Sequence, residues 1–203
     1  MYEDPDGTVC RATGDKILVS VGRRANIRGF GLENIGVQVE RGVVVNSRME
    51  TSVPGVWAAG DITAFSMLAH TASREAEVAV ANMLGGNEQM SYKAIPGIVY
   101  TNPEVAGVGL TEQEAGPDVR VLKLPMAYSG RFVAENERGE GLCKILVSSS
   151  DVVLGVHMLG NPCSEIISAA AIAVEKGMTV SQLLDVVWPH PTVAEIIKET
   201  LQA

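Results

Sequence analysis

The sequence predicts an α+β chain, on three observations. Short apolar runs separated by turn residues fill its first half, the punctuation changes beyond Asn87, and stretches of helical periodicity close the chain. Apolar residues make up 46% of the 203 residues, enough to bury the core of one large domain or two small ones.

The elements follow in order. Residues 9–12 and 16–21 flank Gly14-Asp15 as the arms of a hairpin would, and residues 37–39 and 43–45 flank Glu40-Arg41-Gly42 as a second. Residues 56–59 form a short apolar run ending in Gly60-Asp61. The Ala/Glu-rich stretch 68–84 then predicts a helix that Gly85-Gly86 stops. A second domain begins near Ser91. In it Pro96-Gly97, Asn102-Pro103 and Gly116-Pro117 punctuate strands at 98–101, 119–124 and 144–147, and 152–159 is the last clear strand. Asn161 and Pro162 supply an N-cap and a first-turn proline for a helix running to Lys176 and ended by Gly177. Ile166, Ile167, Ala170, Ala171 and Val174 share one face of it. Residues 180–187 and 193–201 predict two more helices, with Ile196 and Ile197 of the last facing inward.

Bulk chemistry excludes several partners. With 16 basic against 24 acidic side chains the formal net charge is −8, and no Lys/Arg run reverses it locally, so nucleic acid is not expected. The opening residues are acidic and lack an apolar stretch, and nothing approaches the roughly 18 consecutive apolar residues of a membrane span. No membrane partner is expected, and the cytoplasm is the default location. Cys10, Cys143 and Cys163 are too few and too far apart for a disulfide framework or a C-x-x-C site; they read as isolated thiols, some of them buried. No G-x-G-x-x-G follows a strand, so no dinucleotide pyrophosphate cradle is present in these residues. No metal-ligand spacing stands out.

Two segments carry chemistry. Asp61 follows a short apolar strand and a glycine, where a carboxylate could accept hydrogen bonds from sugar or polyol hydroxyls; a plain turn is the alternative reading. His190 stands between Pro189 and Pro191, which restrict its backbone, and Glu195 follows five residues later. Glu195 could accept a hydrogen bond from Nδ1–H of His190, leaving Nε2 free as a base and stabilising the imidazolium, the arrangement of a thiol-activating dyad. Thr192-x-x-Glu195 is equally a capping box, with Thr192 as N-cap, and the two roles are compatible.

Taken together, Lys16 to Arg24 followed by Ala25-Asn26, then Ala58-Ala59-Gly60-Asp61, then Met67-Leu68-Ala69-His70, and finally His190-Pro191-Thr192 with Glu195, resemble consecutive landmarks of the flavin-dependent pyridine nucleotide-disulfide oxidoreductases. The Met-Leu-Ala-His version points to the lipoamide dehydrogenase branch. The resemblance implies a fold in which an antiparallel sheet with flanking helices, the dimerisation domain at 91–203, follows partial NAD-binding (1–24) and FAD-binding (25–90) α/β domains. It implies that Asp61 meets the ribityl chain of FAD, that backbone at Met67, Leu68, Ala69 and His70 opens a helix toward the flavin pyrimidine, and that Gly22 lies against NAD. A helix N-terminus, with free N–H groups and partial positive charge, suits that edge of a reduced flavin. His190 and Glu195 would be catalytic, acting across a homodimer. Arg23 and Arg24 read as surface ion-pair formers, and His157 as a hydrogen-bonded structural residue within a strand.

The same resemblance implies oxidation of dihydrolipoamide by NAD, with lipoyl domains of 2-oxo acid dehydrogenase complexes or of the glycine cleavage system as partners. The chain corresponds to less than half of a full family member and lacks the redox cysteine pair, so by itself it is expected to bind no cofactor tightly and to be inactive. It departs from the family pattern at Ala25, where a proline commonly stands, and at Trp188-Pro189, where a smaller residue precedes the histidine. A non-catalytic dimerisation module and a glutathione-reductase-like disulfide reductase are the alternative functions.

Overall fold

The computed structural model describes residues 1–136 and 139–203, which divide into two compact units, Met1–Met90 and Ser91–Ala203.

In the first unit, strands β1 (Tyr2–Glu3) and β2 (Val9–Cys10) form an antiparallel pair. The Asp4 carboxylate closes their turn by accepting the N–H groups of Asp6 and Thr8. This corrects the expected pairing of 9–12 with 16–21. The local Asp turn gives residues 9–10 a nearer partner, and 16–21 run as exposed backbone that pairs with no strand among the described residues. The expected turn at Glu40-Arg41-Gly42 forms, with Val39 and Val43 in an antiparallel bridge. Gly42 is required there, since a Cβ would come within 2.5 Å of the Thr63 backbone.

Helix α1 (Ala69–Met83) buries Thr71, Glu75, Val78, Ala79 and Asn82, a face repeating at three and four residues. Three of the five are polar, and the structure uses each. The Thr71 hydroxyl bonds that of Ser66 at 3.0 Å. Asn82 donates to the carbonyls of Arg48 and Glu88 and accepts the Glu88 N–H. Glu75 accepts the Gly60 N–H at 2.5 Å. The helix ends where Gly85 turns to φ 87°, a left-handed conformation that glycine adopts freely.

The second unit is a five-stranded, wholly antiparallel sheet covered by helices. Its strands are β3 (Gly97–Val99), β4 (Val105–Gly109), β5 (Arg120–Pro125), β6 (Leu142–Val147) and β7 (Val153–Leu159), in spatial order β3-β4-β7-β6-β5. Cys143, Ile145 and Val147 alternate onto the core face, and Lys144 between them points outward. Lys144 stands directly opposite Lys123, an unfavourable pairing of like charges that Glu112 relieves by reaching both, at 2.8 and 3.0 Å. Glu112 belongs to the short helix α2 (Glu112–Ala115), which opens with a complete Thr111–Glu114 capping box. In the same cross-strand row His157 lies opposite Gly107 and its Nε2 meets the Leu110 carbonyl at 2.9 Å. The ring occupies the space a Cβ on Gly107 would need.

The core lies under this sheet, where helix α4 (Cys163–Lys176) contributes Ile167, Ala170, Ala173 and Val174, and helix α6 (Glu195–Gln202) contributes Ile196, Ile197 and Leu201. Gly177 ends α4 in the left-handed conformation, as expected. Asn161 is not its N-cap, however. Its amide is engaged elsewhere, accepting the Glu104 N–H and donating to Asn102, and Pro162 takes the cap position without a side-chain bond. Helix α5 (Val180–Leu184) is shorter than the expected 180–187, because the Leu183 carbonyl at its end is claimed by the Trp188 indole N–H at 3.0 Å. The strand β4, helix α2 and helix α3 (Gly130–Glu135) were not predicted as separate elements: glycines interrupt the first, and the others are too short to show a period.

Candidate functional site

The segment joining α5 to α6 presents His190. Trp188 anchors its start through the indole and packs against the core. The Thr192 hydroxyl donates to the Pro189 carbonyl at 2.8 Å, folding the chain back around His190. The histidine side chain is 79% exposed, whereas that of Glu195 is only 19% exposed.

The two are brought together at one end of the imidazole. His190 Nδ1 lies 3.0 and 3.1 Å from the carboxylate oxygens of Glu195, and Glu195 Oε2 also accepts the Thr192 N–H at 2.8 Å. The Thr192 N–H, and next the His190 imidazole, hold the Glu195 carboxyl below its ordinary value of 4.5. An ionised acceptor at Nδ1 selects the neutral tautomer that carries its hydrogen there. Nε2 then has its lone pair directed to solvent, in the form a general base requires. The capping-box expectation is corrected in one half: Glu195 does reach back to the Thr192 N–H, but the Thr192 hydroxyl faces Pro189 and Ala194 takes the cap position. Glu195 serves both the backbone and the histidine.

The remaining candidates lie in the first unit. Asp61 is exposed and begins a single 3₁₀ turn after Gly60, whose φ of 83° suits glycine. Glu75 holds that turn from below through the Gly60 N–H. Met67 and Leu68 are half-buried and Ala69 and His70 exposed; α1 starts after Leu68 with no side chain capping it. Gly22 has φ 105° and open space around the position of a Cβ. Arg23 and Arg24 make no ion pair with another described residue, contrary to expectation. They line an open cleft of about 880 Å³ together with Ala25, Arg28, Glu40, Arg41 and Met67. These surfaces suit an elongated, partly anionic ligand: an uncapped helix start for an acceptor edge, a turn carboxylate for hydroxyls, and glycines that allow close approach.

The cysteines lie apart from this chemistry. Cys143 and Cys163 are buried, and burial pushes both thiols up to about 11. Sequence reasoning missed Glu75, although a carboxylate at the core phase of a helical pattern was a usable signal.

The profile described as "Pyridine nucleotide-disulphide oxidoreductase, dimerisation domain" matches residues 95–201, and that described as "Pyridine nucleotide-disulphide oxidoreductase" matches residues 2–76. The chain belongs to this family of flavin- and pyridine-nucleotide-dependent enzymes. Among individual proteins it is 47% identical over 195 residues to a dihydrolipoyl dehydrogenase of Thermus scotoductus, covering 93% of this chain and 42% of that one. To the human mitochondrial dihydrolipoyl dehydrogenase it is 39% identical over 193 residues, covering 92% and 38%. The crystal structure of LpdA from Mycobacterium tuberculosis superposes with a TM-score of 0.83 at 28% identity, over 90% of this chain and 41% of that one. The HOCl-induced flavoprotein disulfide reductase RclA from Escherichia coli gives 0.80 at 26% identity, over 90% and 44%. The chain thus spans about two fifths of the length of these relatives.

Proposed function

We propose that this chain is the C-terminal portion of a flavin-dependent dihydrolipoyl dehydrogenase, supplying a homodimer interface and the base that activates the dithiol substrate. The observation that carries the reading is the His190–Glu195 pair, with Nδ1 held by a carboxylate and Nε2 open to solvent. In that role Nε2 takes the proton of a dihydrolipoamide thiol, and the resulting thiolate attacks a disulfide sulfur, releasing the other sulfur as a thiolate. Glu195 stabilises the imidazolium while it lasts. The histidine then releases a proton to solvent, the net proton that accompanies hydride transfer from the dithiol to NAD.

The residues of the first unit fit a flavin. Asp61 would hold ribityl hydroxyls, the first N–H groups of α1 at Met67 to His70 would face the pyrimidine edge, and Gly22 would allow nicotinamide dinucleotide to approach. FAD supplies the two-electron link between dithiol and NAD. Residues 1–24 and 25–90 are read as parts of the NAD- and FAD-binding domains, and 91–203 as the dimerisation domain. Within this reading the enzyme works in the cytoplasm on lipoyl domains of 2-oxo acid dehydrogenase complexes or of the glycine cleavage system.

The three cysteines are free thiols without C-x-x-C spacing and no G-x-G-x-x-G occurs among these residues, so the purified chain is expected neither to oxidise dihydrolipoamide nor to retain FAD tightly. Turnover of dihydrolipoamide with NAD by the chain alone would contradict this. A second reading, a flavoprotein disulfide reductase with a different substrate, is favoured by the likeness to RclA. Comparing dihydrolipoamide with other dithiols in the completed enzyme separates the two.

A further inference from the structure

Ser129 lies between β5 and α3, 63 residues before Thr192 in sequence, and is only 2% exposed. Its hydroxyl accepts the Phe132 N–H at 3.2 Å, capping α3, and lies 3.1 Å from the Thr192 carbonyl, to which it donates. A hydroxyl has one hydrogen and two lone pairs, so the two bonds are compatible. Phe132, 1% exposed, fixes α3 from beneath by packing against Gly160, where a Cβ would come within 3.0 Å of the ring. Ser129 therefore stands on a rigid base.

Thr192 is the residue through which the histidine segment is organised. Its N–H is bound by Glu195, its hydroxyl by Pro189, and its carbonyl by Ser129. The first two bonds are local to the segment and move with it. The third ties the segment to a part of the fold distant in sequence. We propose that Ser129 is a positioning residue for the His190–Glu195 pair, its hydroxyl fixing Thr192 so that Glu195 stays on Nδ1 and Nε2 keeps its direction. The proposal rests on the reading of His190 as a base, and its test keeps the two separate.

Nitrogen-15 NMR of the 203-residue chain, at a pH where the imidazole is neutral, reports the His190 tautomer, and amide exchange reports the Thr192 N–H. Wild type is expected to carry its hydrogen on Nδ1. Losing one net hydrogen bond in Ser129→Ala should raise the displaced population about fivefold, read as a mixed tautomer and about fivefold faster exchange at Thr192. Ser129→Thr, which keeps the hydroxyl, should restore both signals. Should Ser129→Ala fail to fold, Ser129→Cys carries the test, because it fills the same space with a weaker donor and should give an intermediate tautomer mixture. A folded variant without the hydroxyl that keeps the wild-type tautomer and exchange rate overturns the positioning role. A wild-type chain with its hydrogen on Nε2 instead overturns the reading of the pair as a base, whatever Ser129 does.

Discussion

Glu195 holds Nδ1 of His190 at 3.0 Å while the same carboxylate accepts the Thr192 N–H at 2.8 Å, so one side chain shapes both the start of a helix and the tautomer of an imidazole. Its titration follows from these two bonds. The folded-state value lies below the ordinary 4.5, so the ionised carboxylate stabilises the fold above about that pH. The contribution is lost as pH falls through the lowered folded value. Urea unfolding of wild type and Glu195→Gln should therefore differ near neutrality and converge as the pH falls through the lowered folded value. A difference that grows on acidification would reverse the sign of this account.

Thiol reactivity should divide the cysteines. Burial raises Cys143 and Cys163 to about 11, the Glu104 charge adding to the effect at Cys163, whereas Cys10 is partly accessible. At about pH 8 the two buried thiols hold under one per cent of thiolate. Alkylation followed by mass spectrometry is expected to label Cys10 first and the other two only in denaturant. Rapid labelling of Cys143 in the folded chain would count against the packing of β6.

Two glycines face each other across β4 and β7, and neither has room for a methyl group. A Cβ on Gly109 would stand 2.2 Å from the Leu154 carbonyl oxygen, and one on Gly155 2.2 Å from that of Leu110. Gly109 also has φ 76°. Gly109→Ala should cost roughly 1–3 kcal/mol or more in denaturant unfolding, since backbone must move and the conformation is strained. Gly116→Ala is the control. It shares a positive φ of 76° but has open space around it, and should cost less.

Residues 16–21 expose Ile17 at 89% and Leu18 at 92%, in backbone that pairs with nothing among the described residues. Unpaired apolar backbone is a template for association. Scattering on the chain should show a dimer formed through 91–203 that grows to larger species with concentration, and Ile17→Lys with Leu18→Lys should suppress only that growth. A double variant that associates as strongly as wild type would place the sticky surface elsewhere.

Legibility in the sequence followed the range of the forces involved. The helices at Ala69–Met83 and Cys163–Lys176 were readable because their periodicity and terminating glycines act within a few residues. The pairing of 9–10 with 2–3 was not, because an Asp turn and a sheet compete for the same residues and only the neighbours decide. At the site, the spacing of His190 and Glu195 read equally as a capped helix start, and only the landmarks at Gly60-Asp61 and Met67 to His70 pointed to a base. The direction of the Thr192 hydroxyl could not be read, since a threonine before a glutamate caps in one setting and bridges a turn in another. Ser129 was silent because its partner is 63 residues away.

The most direct test of the base role joins this chain to the part that it does not match of a relative such as the Thermus scotoductus dihydrolipoyl dehydrogenase and follows NAD reduction by dihydrolipoamide. The folded, flavin-loaded protein should turn over, and His190→Gln should lower kcat by about 10²–10⁴-fold with flavin content unchanged. A His190→Gln protein whose kcat stays within about twofold of its parent would contradict the assignment of His190 as the thiol-activating base.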